Sequence, residues 1–441
     1  MADNSSFMKH VLNSAGLLAL GVISLHAYDP QLTRQQTGRP WSISATVRGF
    51  YDDNVFTAPE NSFARQFGRT VVVHPTESFG FEVSPAVRLN LPMEQTFISL
   101  GYIYSFRWYE ERDPRNYDQS HEFNGKLRHQ FSPRHDLGID DSFVYTSEPT
   151  AVDRSGIVTA PLKSEGNVLH NRGSIDHNMG LSPQFAVSLG YVNNWYDYEQ
   201  ENTPGGFGSR SALLDRLEHL FRVDARYQFS PTIVGLVGYN FGLNTYTADE
   251  VISPARPGRP ALKSDDRDSY LHRIYVGGDY DMTAKLRASL RVGGEFTDYH
   301  NSGESSVNPY ADASVVYVYL PGSSVEVGIR HTRNATDIVA PDGRGNPTLD
   351  AETTVLYGQV SHRITRSFTG SLLGQFQTSE FNDGANDSRS EDLFLVGLNF
   401  DYRFNPHLAA ELGYNFDILS SDVPGRGYDR NRVYIGLRAS Y

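Results

Sequence analysis

From Leu393 to Phe404 the chain reads LFLVGLNFDYRF, with Phe394, Val396, Leu398, Phe400, Tyr402 and Phe404 on one parity. Leu395, Gly397, Asn399, Asp401 and Arg403 take the other. A strand has period two, so this stretch predicts a sheet with one greasy face and one wet face. Runs of the same kind recur along almost the whole chain, from WSISATVRGFY at Trp41–Tyr51 to RVYIGLRASY at Arg432–Tyr441. Each is close to the roughly 9–11 residues that a tilted strand needs to cross a bilayer.

The connectors alternate in length. Short ones join an apolar residue, a Ser/Asn–Pro turn and a new run, as in FSPRH (Phe131–His135), LSPQF (Leu181–Phe185), FSPTI (Phe229–Ile233), YLPGS (Tyr319–Ser323) and FNPHL (Phe404–Leu408). MTAKL (Met282–Leu286) and ITRSF (Ile364–Phe368) are variants without proline, and Leu91-Pro92-Met93-Glu94 is a further turn. Proline presets φ for a turn and cannot donate to a ladder, so strands are expected to stop there. Between these turns lie long polar connectors such as Asp52–His74, Ala248–Asp266, His300–Val307 and Asn334–Asp350. The count gives about eighteen antiparallel strands in one closed transmembrane β-barrel, with short periplasmic turns and long extracellular loops.

Lys9 and His10 precede an apolar run, Val11 to Leu25, and then His26-Ala27. This reads as a secretory leader over residues 1–27, followed by a short periplasmic segment, 28–40, and the barrel, 41–441. No stretch of ~20 apolar residues offers a membrane-spanning helix. A surplus of 26 Tyr and 25 Phe over 3 Trp suits aromatic girdles at the membrane interfaces. The net charge of −13 argues against nucleic acid as a partner. Absence of cysteine suits a chain that crosses an oxidising periplasm. These features together predict the outer membrane of a Gram-negative-type bacterium, with its lipid as one partner. The final strand ends on Tyr441, similar to the signal by which barrel-assembly machinery selects its clients.

Taking the greasy parity as lipid-facing, the opposite parity should line the lumen. It nominates Lys126 and Arg128; Arg222, Asp224 and Arg226; Arg273 and Asp279; Arg287, Arg291 and Glu295; Glu326 and Arg330; Asp401 and Arg403; and Arg438. These would be either a field that orients solutes or ion pairs that brace the wall. About eighteen strands leave an aqueous channel rather than a filled core. Catalytic signatures are thin: there is no G-x-S-x-G elbow and no H-E-x-x-H pair. No metal or other cofactor is expected. His170 and His177 stand seven apart on one run, so they should face opposite sides.

Tyr51-Asp52-Asp53-Asn54-Val55-Phe56 closes the first run, and this YDDNVF resembles the Y-x-DN-x-F signature of the putative β-barrel porin 2 family. Leader, strand number, turns and aromatic end are similar as well. Tyr51, Asp52, Asp53, Asn54 and Phe56 are the residues that match the signature. The resemblance implies an outer-membrane porin tied to polysaccharide export, with periplasmic export components as partners. The residues alone leave three classes open: a passive diffusion porin, a polymer exit, and an outer-membrane hydrolase with a rim active site.

Overall fold

In the computed structural model the structure describes residues 40–59, 62–66, 69–113, 115–147, 151–152, 158–160, 167–199 and 209–441, besides 23–24 and 27–28. Most of the expected leader and of 28–40 lies outside the described residues. Eighteen strands close into one antiparallel barrel. The first five are β1 (Trp41–Asp52), β2 (Ser78–Pro92), β3 (Thr96–Tyr109), β4 (Tyr117–Ser132) and β5 (His135–Thr146). Next come β6 (Val168–Gly180), β7 (Phe185–Tyr198), β8 (Arg216–Ser230), β9 (Ile233–Tyr246) and β10 (Ser269–Thr283). Then follow β11 (Leu286–Tyr299), β12 (Glu304–Leu320), β13 (Ser323–Asn334) and β14 (Asp350–Arg363). The ring ends with β15 (Phe368–Asn382), β16 (Ser390–Asn405), β17 (Leu408–Ser421) and β18 (Tyr428–Ser440). Each strand pairs with its sequence neighbours, and β18 closes on β1 with Ile435 opposite Gly49.

The short turns explain their own sequence pattern. Ser182 Oγ accepts the Phe185 N–H at 3.0 Å, Thr283 Oγ1 the Leu286 N–H at 3.0 Å, Thr365 Oγ1 the Phe368 N–H at 3.1 Å, and Asn405 Oδ1 the His407 N–H at 2.8 Å. A small side-chain acceptor thus ends one strand and starts the next. In the Tyr319–Ser323 turn, Gly322 has φ of 80°, which follows Pro321 in the way a type II turn requires.

Two prolines do not end their strands. β2 runs through Pro85 and β12 through Pro309, and the expected loop His300–Val307 shrinks to the four residues between β11 and β12. Each proline pairs on one side only: Pro85 faces Ala45 on β1, and Pro309 faces Gly294 on β11. On the other side the ladder lapses, between Val83 and Ala86 toward β3 and beyond Ala311 toward β13. A missing N–H costs nothing where no neighbour uses it.

The faces follow the alternation. Along β8, Phe221, Val223 and Tyr227 are exposed while Asp224 and Arg226 are buried. Side chains of the second set reach past a whole strand, as Arg226 on β8 does to Asp279 on β10 at 2.5 Å. On a closed sheet only the concave side brings such groups together. That side is not wet throughout. Leu373, Leu393, Leu395 and Leu419 form a buried apolar cluster on it, packed with Tyr428, where a polar face was expected around Leu395.

The concave wall and the closure seam

Ion pairs of opposite sign tile the concave face. Across the seam they form one continuous ladder. Arg107 on β3 holds Glu82 on β2 at 3.1 Å, and Glu82 holds Arg48 on β1 at 3.1 Å. Arg48 reaches Glu411 on β17, Glu411 lies 3.5 Å from Arg438 on β18, and Arg438 binds Asp401 on β16. Six neighbouring strands each give one charge, three of either sign, so the ladder is neutral. Gly436 on β18 makes the crossing possible, because a Cβ there would meet Arg48 Cγ at 2.7 Å and Glu411 Oε1 at 3.1 Å.

A second field covers β4 to β13. Asp279 is shared by Arg226 at 2.5 Å and Arg291 at 2.7 Å. Arg222 binds Asp176 at 2.6 Å and lies 3.7 Å from Asp224, which also accepts the Tyr275 hydroxyl at 2.5 Å. Gly238 leaves room for that bond, since a Cβ there would lie 2.2 Å from the Tyr275 ring. Arg273 pairs with Glu295 at 3.2 Å and donates to Thr332 on β13 at 2.9 Å. Arg330 binds Asp312 at 2.8 Å, Arg287 binds Asp281 at 2.5 Å, and Arg128 binds Asp140 at 2.6 Å. Of the nominated residues, Lys126, Glu326 and Arg403 have no ion pair among the described residues, and Lys126 and Arg403 are exposed.

Taking ions out of water costs several kcal/mol each, and close pairing returns about as much. Such pairs therefore fix register and shape more than they add stability. Tyrosines of this face are covered rather than bare. Arg216 lies 4.0 Å over Tyr196, Arg273 4.2 Å over Tyr310, and Arg48 5.0 Å over Tyr434. His170 stacks on Tyr196 with ring centroids 4.2 Å apart, while His177 sits beside Phe131 and His135, so the two do not meet. No group of three metal-ligating side chains occurs among the described residues.

YDDNVF lies where the first strand meets the last. Asp53 accepts both the backbone N–H of Asn431 at 2.7 Å and its side-chain amide at 2.8 Å. Asn54 is buried, donates to the carbonyls of Ala58 at 2.8 Å and Asp429 at 2.9 Å, and accepts the Ala58 N–H at 2.8 Å. Asp52, also buried, accepts the Asn54 N–H at 3.0 Å. Tyr51 donates to Glu77 at 2.5 Å, and Phe56 lies under Arg112 at 5.6 Å. The segment thus clasps the start of β18 at the rim that carries the long connectors.

Sequence reasoning missed Arg48, Glu82 and Arg107, although Arg48 shares its parity with Ser44 and Thr46 in the first run. Inward-facing glycines such as Gly238 and Gly436 were the signal for where side chains cross.

The family model described as Putative beta-barrel porin 2 matches residues 146–441. The chain belongs to that family. The matched stretch holds most of the barrel and leaves YDDNVF outside it. This porin-like outer-membrane barrel matches no curated protein. Among solved structures it is similar to a BenF-like porin from Pseudomonas fluorescens Pf-5, at 9% identity over 91% of this chain and 99% of that one, TM-score 0.45. OccK11 (OpdR) of Pseudomonas aeruginosa matches at 11% identity over 91% and 96%, TM-score 0.42. The siderophore receptor PirA of Acinetobacter baumannii matches at 9% identity over 90% and 80%, TM-score 0.43.

Proposed function

We propose that this porin-family barrel is a non-enzymatic channel for hydrophilic, hydroxyl-rich solutes, sugar chains among them. One observation carries the reading: the concave charges are paired with one another, so the wall offers many hydrogen-bonding groups and little net charge. Such a wall suits neutral polar cargo better than ions. Export of polysaccharide is supported by the family resemblance of the first-strand motif. A second reading, passive diffusion of small solutes, is favoured by the covered tyrosines. Sugar rings stack on bare aromatic faces, and here guanidinium groups occupy those of Tyr196, Tyr310 and Tyr434. In this reading the leader delivers the chain to the periplasm, and the strand ending at Tyr441 presents it to the assembly machinery. Periplasmic export components would meet the short-turn rim.

The test is permeation of neutral saccharides of increasing length into liposomes that carry the protein. Uptake of mono- and oligosaccharides through the purified protein or through a form with the connector 335–349 shortened is the expected result, and persistence with chain length separates a polymer exit from a diffusion porin. No permeation, by the whole protein or by a form with the connector 335–349 shortened, would overturn the channel.

A further inference from the structure

The connector between β13 and β14, residues 335–349, is held on two sides of the barrel. On one side its Val339 packs against the buried cluster of Ala212, Ile252 and Leu262, from the β7–β8 and β9–β10 connectors. On the other, its Ile338 packs with Ala351 and Phe381 at the tops of β14 and β15, and with Val423 of the β17–β18 connector. The roots of the β7–β8 and β13–β14 connectors are six strands apart on the ring. At ~4.8 Å per strand this is about 29 Å of wall, so loops rooted there meet by leaning over the mouth.

Polar pins match the apolar ones. Arg267, fully buried, donates to the Thr336 carbonyl at 3.3 Å and the Leu213 carbonyl at 2.5 Å, with its guanidinium 3.9 Å from the Tyr246 ring. On the residue after Thr336, and from the opposite side, Arg426 forks onto Asp337, with bonds of 2.9 and 3.0 Å, and also binds Glu391 of β16. Between connector and wall remains a cavity of about 20 Å³, lined by Thr336, Asp337, Thr353, Ser379, Glu391 and Arg426. That is room for one water. The tip is closed on itself, with Asp342 accepting the N–H groups of Arg344, Gly345 and Asn346 at 2.7, 2.7 and 2.9 Å.

We propose that residues 335–349 are a strap across the outer mouth, and that Arg426 is its latch. On the hinge side Arg267 holds the strap by the Thr336 carbonyl, beside an aromatic face. On the release side Arg426 holds the next residue, Asp337, and shares its guanidinium between that carboxylate and Glu391, beside the apolar contacts of Ile338. Passage of ions and of larger cargo alike requires that the strap swing clear while β13 and β14 stay paired. The inference rests on the channel reading, and the experiment keeps the two apart.

Single-channel conductance in planar bilayers is compared for the full chain, Arg426→Ala, Arg426→Lys, and a variant with residues 337–347 replaced by two glycines. Heat-modifiable gel mobility checks that each barrel is folded. The expected result is a mostly closed full chain, an open probability raised at least about tenfold in Arg426→Ala, an intermediate Arg426→Lys, and a constantly open excision variant. If Arg426→Ala fails to fold, the excision variant decides. A full chain as conductive as the excision variant overturns the strap and leaves the channel standing. A folded excision variant without conductance overturns the channel itself.

Discussion

The Asn54 side-chain amide bonds backbone at every turn, twice to Ala58 of its own connector and once across the seam to Asp429. A buried amide that loses such bonds leaves its backbone partners bare, at about 1–3 kcal/mol. Asn54→Ala should therefore lower the unfolding free energy of the detergent-folded barrel by an amount of that order, read as a lower urea midpoint. An unchanged midpoint would show that β18 closes on β1 without the clasp. A second residue-scale outcome concerns Asp215, which follows the helix α1 (Arg210–Leu214) and accepts the Tyr198 N–H at 2.7 Å. Burial pushes its carboxyl up to about 6, more than the Tyr198 amide pulls it down. Its folded value lies above the ordinary one of ~3.9, so the folded chain binds the extra proton between about pH 4 and 6. The stability it contributes is present in acid and lost as pH rises through that window. Protease nicking of the 209–215 segment should be slower at pH 5 than at pH 7, and Asp215→Asn should flatten the difference. A nicking rate that does not depend on pH would remove Asp215 from the account.

Strands were the most legible level, because period two carries both the secondary structure and the side each residue takes. The face of β16 is a direct test. A cysteine at Asp401 or Arg403 should react with a membrane-impermeant thiol reagent in native membranes, whereas one at Phe394 should not. Preferential labelling at 394 would mean that the register is wrong by one. Leu395 shares parity with Asp401 but sits in the buried cluster with Leu373 and Leu419, so a cysteine there should resist labelling too. Parity tells which side a residue takes and not what covers it there, which is why the dry patch was not legible. Strands that continue through Pro85 and Pro309 were illegible for a related reason. Whether a missing N–H matters depends on the neighbour strand, which a single run of sequence does not name.

At the scale of the whole molecule, the charges were legible one by one and their partners were not. Arg226 and Asp279 are 53 residues apart and meet only because β9 pairs with both of their strands, with Arg226 opposite its Leu236 and Asp279 opposite its Val234. Free arginines would make the channel prefer anions, with the field of unit charges strengthened by the low-dielectric wall. Paired ones cancel within a few ångströms, so the full chain should show a reversal potential near zero in a salt gradient. Removing the cations then reveals the anions they held. Arg226→Ala together with Arg291→Ala leaves Asp279 without either guanidinium, and Arg222→Ala uncovers Asp176. Each guanidinium removed takes one positive charge from the wall, three in all, and the triple variant should shift the reversal potential clearly towards cations. The shift should shrink in molar salt, where the Debye length falls to about 3 Å. A full chain that is already strongly anion-selective would mean that Lys126 and Arg403, two exposed cations of the wall with no ion pair among the described residues, sit at the constriction and dominate it. Neutralising those two alone would then abolish the preference, and the paired field would be bracing with no part in permeation.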